Sequence, residues 1–186
     1  MPACLISAAI DATCEDLRRV GGLQADLYVA NLSDILSYTY AGDLSGYVDA
    51  FTFDTYGGFY KFESKKNSHT AGYNAAIGGV GANTFVNHNV VAKFFATSPT
   101  DDQVIEDMLV ADLVFVVETK NKEFKVYGID AGCSMTEATQ NSGQEGAGDT
   151  TDTLTFLGEE IDLPKRFLAT DYATTKALLE SYVVTP

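Results

Sequence analysis

The sequence predicts a single, mainly β domain, an antiparallel sandwich or barrel with a short flanking helix. The chain has 186 residues, 46% of them hydrophobic, which is enough for one sizeable core in one domain spanning residues 1–186. Its 11 Phe and 10 Tyr, without any Trp, occur with Val and Thr in short runs that favour strands over helices. The 16 Gly against 4 Pro are typical of many turns between strands.

Runs of apolar residues place the strands of this domain. In residues 59–64, large apolar side chains alternate with charged ones, the period of two expected of a half-buried strand. A polar turn at residues 120–122 separates two further runs, residues 113–119 and 123–128, and predicts a hairpin. Other strands are predicted at residues 25–31, 46–53, 84–96 and 150–157.

Two helices are predicted. The first begins at Thr100, which is followed by two acids and then by Gln103, a capping box with acids at the positive end of the helix dipole. Its apolar face would comprise Val104, Ile105, Met108 and Leu109. The second is a carboxy-terminal helix or arm over residues 170–186, capped by Thr170 or Asp171. Its residues at helical spacing are Tyr172, Thr175, Leu179 and Tyr182.

Three segments lack the large, regularly spaced apolar residues of a core. Residues 65–83 are rich in Gly, Asn, Ser and Lys, and predict an extended loop or a protruding hairpin, which in a compact domain is usually functional or disordered. Residues 1–22 contain apolar residues without a clear period and predict an amino-terminal arm. Residues 140–149 are rich in Gly, Gln and acids and predict a flexible loop.

The charge of the chain argues against tight nucleic-acid binding. The 26 Asp and Glu against 12 Lys and Arg give a formal net charge of −14, whereas affinity for phosphate depends on clustered basic residues. Solubility alone can also account for such acidity.

The cysteines and the lack of long apolar segments indicate the cellular compartment in which the chain is made. Cys4, Cys14 and Cys133 are an odd set with no neighbouring His, so they predict neither a zinc site nor a disulfide framework. Residues 1–10 lack the basic start of a signal peptide, and no segment has the apolar length of a membrane span. We therefore expect synthesis in a reducing cytosol and no membrane partner.

Candidate catalytic and ligand-binding residues are few. Residues 78–83 are Gly-rich, but they lack the Lys-Ser/Thr pair of a phosphate loop and precede a strand rather than a helix. His69 and His88 are the only histidines and have no carboxylate or Cys at ligand spacing. Three acids within residues 159–162 could form a glycosidase pair, but adjacent acids in an acidic chain are more often solvated. We therefore predict no enzymatic activity, no cofactor and no metal.

Three stretches of the chain resemble the tail tube proteins of bacteriophages. They are D-T-Y-G-G-F-Y-K-F at residues 54–62, S-P-T-D-D-Q-V-I-E-D at residues 98–107, and Q-N-S-G through D-T-L-T-F-L-G-E-E at residues 140–160. These stretches are similar to virion structural proteins of phages that infect Bacteroidetes. The predicted order of strand, strand, long loop, strand, short helix, hairpin, acidic loop and strand also resembles this family.

The resemblance implies a structural subunit that assembles with itself. Such subunits form hexameric rings that stack into a tube in the phage tail, and DNA passes through the bore without tight binding. An acidic bore would suit this task because it repels phosphate. The implied partners are further copies of the chain and the tape measure, terminator and baseplate proteins of the tail. The protein would be made in the cytoplasm of the host bacterium and end in the virion.

In such a ring, the segments that lack a core would contact neighbouring subunits. The residues expected at these inter-subunit contacts are Lys65, Lys66, Asn67, His69, Tyr73, Gly78, Gly79, Gly81, Leu5, Ile10 and Leu17. Other virion roles stay open: a tail-completion or adaptor ring, a head-decoration protein, or a receptor-facing binding module. Assembly of the chain with copies of itself is the property that distinguishes a tube subunit from these alternatives.

Overall fold

Two β-sheets and two α-helices make up the described part of the computed structural model, which covers residues 22–42, 46–64, 68–77, 84–95, 99–141 and 151–184. The strands are β1 (Leu23–Asn31), β2 (Ile35–Tyr40), β3 (Tyr47–Phe53), β4 (Tyr60–Glu63), β5 (Thr70–Ile77), β6 (Thr84–Phe95), β7 (Leu113–Thr119), β8 (Phe124–Tyr127), β9 (Ser134–Asn141), β10 (Thr151–Glu160) and β11 (Lys165–Phe167). The helices are α1 (Pro99–Met108) and α2 (Tyr172–Ser181). Neither described helix combines the length and the apolar character that crossing a membrane requires.

The strands form a sandwich of unequal sheets. The larger sheet has seven strands in the order β2-β3-β11-β8-β7-β1-β4, and the smaller has four in the order β5-β6-β10-β9. Neighbouring strands are antiparallel, except that β3 and β11 are parallel. The prediction of a mainly β, antiparallel sandwich with a short helix is therefore confirmed.

The first hydrophobic core lies between the two sheets. Leu27 and Phe115 of the larger sheet pack with Val90, Leu154 and Phe156 of the smaller sheet. The rings of Phe115 and Phe156 have centroids 4.8 Å apart, within the range of favourable aromatic pairs. Burial of this apolar surface is what holds the sheets face to face.

A second core covers the opposite face of the larger sheet. Val48, Val114 and Phe167 pack there with Leu179 of α2. Because both faces of the larger sheet are covered, the first six residues of β7 are all buried. This explains why its sequence is a continuous apolar run rather than an alternation of apolar and polar residues.

The start of α1 differs from the prediction. The helix begins at Pro99, so Thr100 lies inside its first turn and is not the capping residue. Proline is favoured at the first helical position, where its missing N–H costs no hydrogen bond and its φ is already helical. Of the predicted apolar face, Met108 is buried and Ile105 packs against the core, whereas Val104 and Leu109 are 37% and 53% exposed.

The carboxy-terminal helix is confirmed, and Asp171 is its cap. The Asp171 carboxylate accepts the N–H of Thr174 at 2.9 Å. Thr175 and Leu179 are the buried residues of α2. The hydroxyl of Thr175 donates to the carbonyl of Asp171 at 2.6 Å and accepts the N–H of Ala169 at 3.0 Å, which fixes the entry of the chain into the helix.

The prediction of an extended loop over residues 65–83 is wrong for its central part. Thr70–Ile77 is a strand, and each of its residues pairs with one residue of β6, from Thr70 opposite Val91 to Ile77 opposite Thr84. Pairing with the long strand β6 supplies the backbone hydrogen bonds, so β5 needs few large apolar side chains of its own. The alternative of a hairpin agrees with this pairing, although residues 65–67 and 78–83 lie outside the described residues. The part of the predicted amino-terminal arm that precedes Gly22 also lies outside the described residues.

Candidate functional site

The smaller sheet has one face turned away from both cores. Ala92 and Phe156 are buried against the larger sheet, and side chains alternate along a strand, so their sequence neighbours lie on the opposite face. By the register of the strands, this outer face carries Thr70, Gly72, Asn74, Phe85, Asn87, Asn89, Val91, Lys93, Phe95, Ser134, Glu137, Thr139, Asn141, Thr151, Thr153, Thr155, Leu157 and Glu159. A shallow depression of about 490 Å³ runs across it between β5, β6 and Leu157.

Amide and hydroxyl groups dominate the outer face. Its charged side chains are Lys93, Glu137 and Glu159, which leaves a formal charge of −1 on the face against −14 for the whole chain. The ammonium of Lys93 lies 5.5 Å from the ring centroid of Phe95, so part of its charge is directed at an aromatic face. The outer face is therefore largely polar and close to neutral, and it also carries the apolar side chains of Phe85, Val91, Phe95 and Leu157.

The smaller sheet also ends in two long edge strands. Each of β5 and β9 has eight residues and, within the described part of the chain, a neighbouring strand on one side only. Along β9, Met135 is half-buried and the other residues are exposed. The outward N–H and C=O groups of such edges are templates for pairing with another strand.

The two edges run antiparallel to each other. Each step from β5 to β6, β10 and β9 reverses the strand direction, and a sheet of four strands contains three such steps. Two copies with the same orientation could therefore lie side by side, with β9 of one copy next to β5 of the other. These two strands would be antiparallel, as neighbouring strands are inside the sheet. Antiparallel pairing could continue across such a junction without any strand being turned round.

Two of the residues predicted at inter-subunit contacts are described. Tyr73 lies on the edge strand β5 and is 53% exposed, which places it where a neighbouring copy could reach it. His69 is 3% exposed, so in the single chain it offers almost no surface to a neighbouring copy. The other predicted contact residues, Lys65, Lys66, Asn67, Gly78, Gly79, Gly81, Leu5, Ile10 and Leu17, lie outside the described residues.

The imidazole of His69 connects the two sheets. Its Nδ1 accepts the N–H of Lys93 in β6 at 3.2 Å, and its Nε2 lies 3.1 Å from the carbonyl oxygen of Ala25 in β1. Since Nδ1 accepts, the neutral ring carries its proton on Nε2 and donates it to Ala25. Burial lowers the pKa of His69, although the bond to Ala25 and the charge of Asp26 oppose this.

His88 makes the same kind of connection at a different place. Its Nδ1 accepts the N–H of Gly128, which follows β8 in the larger sheet, at 3.1 Å, and its Nε2 lies 3.0 Å from the carbonyl oxygen of Asp162. Burial lowers the pKa of His88 as well. Both histidines thus use both ring nitrogens to hold backbone groups, and neither presents a free nitrogen for catalysis.

Among the acids of residues 159–162, for which solvation was the favoured interpretation, Glu160 is buried. The residue is 3% exposed, and its carboxylate accepts the N–H groups of Asp130 and Ala131 at 3.1 and 3.0 Å. Burial raises the pKa of Glu160, while these N–H bonds act in the opposite direction. Gly128 and Gly132 flank this loop with φ of 72° and 81°, a conformation that favours glycine. The carboxylate therefore organises a loop, and the glutamate beside it, Glu159, is exposed.

Little else among the described residues resembles a catalytic or metal site. The thiol of Cys133 is buried, and burial raises its pKa to about 12, which keeps it protonated and unreactive. No group of three or more His, Cys, Asp or Glu in the described ranges is placed to hold a metal ion. Comparisons of the whole chain with protein-family models, with curated proteins and with solved structures gave no match.

Proposed function

We propose that this chain is a structural subunit of a bacteriophage tail tube that assembles into stacked rings. The observation that carries the proposal is the smaller sheet, with one face turned away from both cores and its two edge strands antiparallel to each other. Identical copies arranged head to tail around an axis would join β9 of each copy to β5 of the next. Closure of the ring would then pair both edges of the smaller sheet in every copy, which removes the aggregation hazard of those two edges.

The outer face of the smaller sheet would line the bore of this ring. Its Asn and Thr side chains can exchange hydrogen bonds with water, and its one lysine is outnumbered by two glutamates. Affinity for DNA comes mainly from basic side chains that neutralise phosphates. A nearly neutral polar wall in an acidic protein would let DNA pass without holding it. The resemblance implies sixfold rings and contacts with other tail proteins, and these stay part of the proposal.

Paired charge substitutions on the two edges test the proposal. Asn74→Lys with Thr139→Lys places like charges on both sides of each β5–β9 junction, and like charges on adjoining strands repel. Asn74→Lys with Thr139→Glu is the matched control, because it alters the same positions but brings opposite charges together. We expect negative-stain images of the wild type and the Lys/Glu variant to show rings or tubes, and the Lys/Lys variant to assemble less at low salt.

The outcomes separate the possible roles. Rings that never stack would favour a tail-completion or adaptor ring over a tube. A wild-type chain that stays monomeric at high concentration and in varied salt would contradict self-assembly. Rings formed equally by both double variants would contradict the β5–β9 junction.

A further inference from the structure

A small pocket lies beside the β7–β8 turn, where α2 begins. Its floor is aromatic and aliphatic, because Phe124, Phe167, Leu168 and Tyr172 line it. The rings of Phe124 and Tyr172 stack with centroids 5.7 Å apart. This turn pocket measures about 130 Å³. A cavity of about 150 Å³ holds one benzene molecule, so the turn pocket has room for one branched aliphatic side chain.

Basic side chains stand at the rim of the turn pocket. The ammonium of Lys122 lies 5.5 Å from the ring centroid of Tyr172, and the guanidinium of Arg166 lies 5.9 Å from that of Tyr47. Contacts of this kind hold cations over aromatic faces. Glu123 is the acid of the rim, and its carboxylate pairs with Arg166 at 3.4 Å. Two basic side chains therefore meet one acidic side chain at the rim.

The wider surroundings of the turn pocket are slightly basic, although the whole chain has a net charge of −14. The adjoining parts of β3, β7, β8, β11 and α2 carry five basic against four acidic side chains, a net charge of +1: Lys120, Lys122, Lys125, Arg166 and Lys176 against Asp49, Glu118, Glu123 and Asp171. Of these acids, the buried Glu118 pairs with Lys176 at 3.0 Å. The region around the pocket thus differs in sign from the rest of the chain.

A loop of residues 161–163 joins β10 to β11 and exposes an apolar side chain, because Ile161 is 84% exposed. Contacts on both sides hold this loop in place. The carboxylate of Glu160, just before it, accepts two backbone N–H groups, and Asp162 within it pairs with Lys165 at 2.6 Å. Since these contacts already order the loop, its docking against a partner would cost little conformational entropy.

The charge of the 161–163 loop is opposite to that of the turn pocket. The loop and the segments that hold it carry four acidic side chains against one basic one, a formal net charge of −3: Asp130, Glu159, Glu160 and Asp162 against Lys165. An exposed isoleucine among acids therefore complements an apolar pocket with a basic rim, both in the size of the side chain and in the sign of the charge.

The 161–163 loop and the turn pocket lie at opposite ends of β11. This strand starts just after the loop, is paired with β3 and β8, and ends at Phe167, which lines the pocket. The chain's own loop therefore cannot fold back into its own pocket. Along the smaller sheet, β10 leads into the loop, whereas β5, which is parallel to β10, begins at Thr70 beside Lys125 of the hairpin. The loop and the pocket thus face opposite directions along these strands.

We propose that the 161–163 loop of one copy docks in the turn pocket of a second copy, with Ile161 against the aromatic floor and the acids of the loop beside the basic rim. The inference rests on the proposed self-assembly and assigns the contact by which one ring stacks on the next. In a ring joined through β5 and β9, the ends of the strands face the rings above and below. A head-to-tail contact at these ends can repeat along the axis of a tube.

Charge reversal and its rescue test this docking. Lys122→Glu makes the rim acidic, and Glu159→Lys gives the loop segment a basic side chain, so each single variant brings like charges together. Both side chains are exposed, so we expect both variants to fold. The double variant Lys122→Glu with Glu159→Lys is the matched control, because exchanging the two charges restores their attraction.

Negative-stain images and sedimentation velocity at low salt measure the stacking. We expect tubes from the wild type and the double variant, and a loss of tubes with rings retained from each single variant. The loss should shrink at about 1 M salt, where charges are screened within about 3 Å. Single variants that stack like the wild type would overturn the proposal, and so would a double variant that stacks no better than the single ones.

The apolar part of the contact is tested at two exposed residues. Ile161→Ser removes the side chain that would enter the pocket, and Val110→Ser removes one that is 90% exposed outside the loop. We expect the first substitution to reduce stacking and the second to leave it unchanged. Equal stacking of the two variants would contradict insertion of Ile161.

The same measurements separate failure of this contact from failure of the tube proposal. Rings that stack equally in all of these variants would refute the contact and leave the tube proposal standing. Chains might instead associate end to end without closing into rings, lose this association in each single charge variant and regain it in the double variant. That result would refute the tube proposal and leave the contact standing. A wild type that stays monomeric would contradict both.

Discussion

The two sheets differ in how much of their surface the fold covers. The larger sheet has the smaller sheet on one face and α2 on the other, and its strand β7 is buried over six consecutive residues. The smaller sheet has one covered face. Its other face carries amide and hydroxyl groups, and the side chain of Asn89 on this face is exposed. We infer that the larger sheet supplies most of the folding free energy, and that the smaller sheet supplies surface and edges for assembly.

The strongest test of this difference uses two adjacent residues of β10. Phe156 is 1% exposed and faces the core between the sheets, whereas Leu157 is 41% exposed on the outer face. Phe156→Ala should lower the free energy of unfolding by about 3–5 kcal/mol, because it removes buried apolar surface and leaves a cavity. Leu157→Ala should change it by less than about 1 kcal/mol.

Urea unfolding of both variants measures the two free energies. Equal losses would mean that the outer face is covered in the isolated protein, and the assignment of the two faces would then be wrong. If Phe156→Ala does not fold, Phe156→Leu serves instead, with a smaller loss in the same direction.

A second prediction concerns the histidines that join the two sheets. Protonation of Nδ1 in His69 or His88 would break the bond that it accepts from Lys93 or Gly128. Both pKa values are lowered in the fold by burial, whereas an unfolded chain binds the proton near pH 6.5. The contribution of the two imidazole rings to the free energy of unfolding is therefore complete above about pH 6.5, and it declines as the pH falls towards the folded pKa values.

Unfolding experiments between about pH 7 and pH 5 measure this contribution. Each histidine can add a slope of at most about 1.4 kcal/mol per pH unit. His69→Gln and His88→Gln keep a donor and an acceptor but remove the titration, so each variant should lose less stability than the wild type over this range. The raised pKa of Glu160 acts in the opposite direction in all three proteins, and comparison between them cancels it. Identical slopes would contradict a sheet junction that depends on neutral imidazoles.

The smallest effect is expected for DNA binding by the outer face. At about 0.15 M salt the full-length chain should show no measurable affinity for duplex DNA, because phosphate repulsion is only partly screened over about 8 Å. Asn87→Lys with Asn89→Lys should introduce weak binding that disappears as salt is raised, and fluorescence anisotropy can follow it.

An assembled tube with a bore lined chiefly by Lys61, Lys65, Lys66 and Lys93 would contradict the proposal. In the single chain, Lys61 forms ion pairs with Asp26 at 3.3 Å and Glu180 at 3.5 Å instead.

Local patterns in the sequence determined the elements that depend on near neighbours. The β7–β8 hairpin follows from two apolar runs around a polar turn, and α2 follows from its helical spacing and the cap at Asp171. Val, Thr, Phe and Tyr in short runs also predicted a mainly β domain, because these residues favour strands. These features need no knowledge of which strands lie side by side.

The tertiary structure alone decided the features that depend on distant partners. Strands β2, β9 and β11 were not predicted. Strand β9 is mostly polar and β11 has only three residues, so both depend on pairing with β10 and β8, and β2, although it carries Ile35, Leu36 and two Tyr, is defined by its pairing with β3. Within the predicted loop or hairpin of residues 65–83, Thr70–Ile77 is strand β5 for the same reason. His69 and Glu160 have no local pattern that marks them, since the backbone groups they hold, at Ala25 and Asp130, are brought near them only by folding. Hydrogen bonding to distant backbone is invisible in a sequence, and here it sets both the sheet junction and the edges available for assembly.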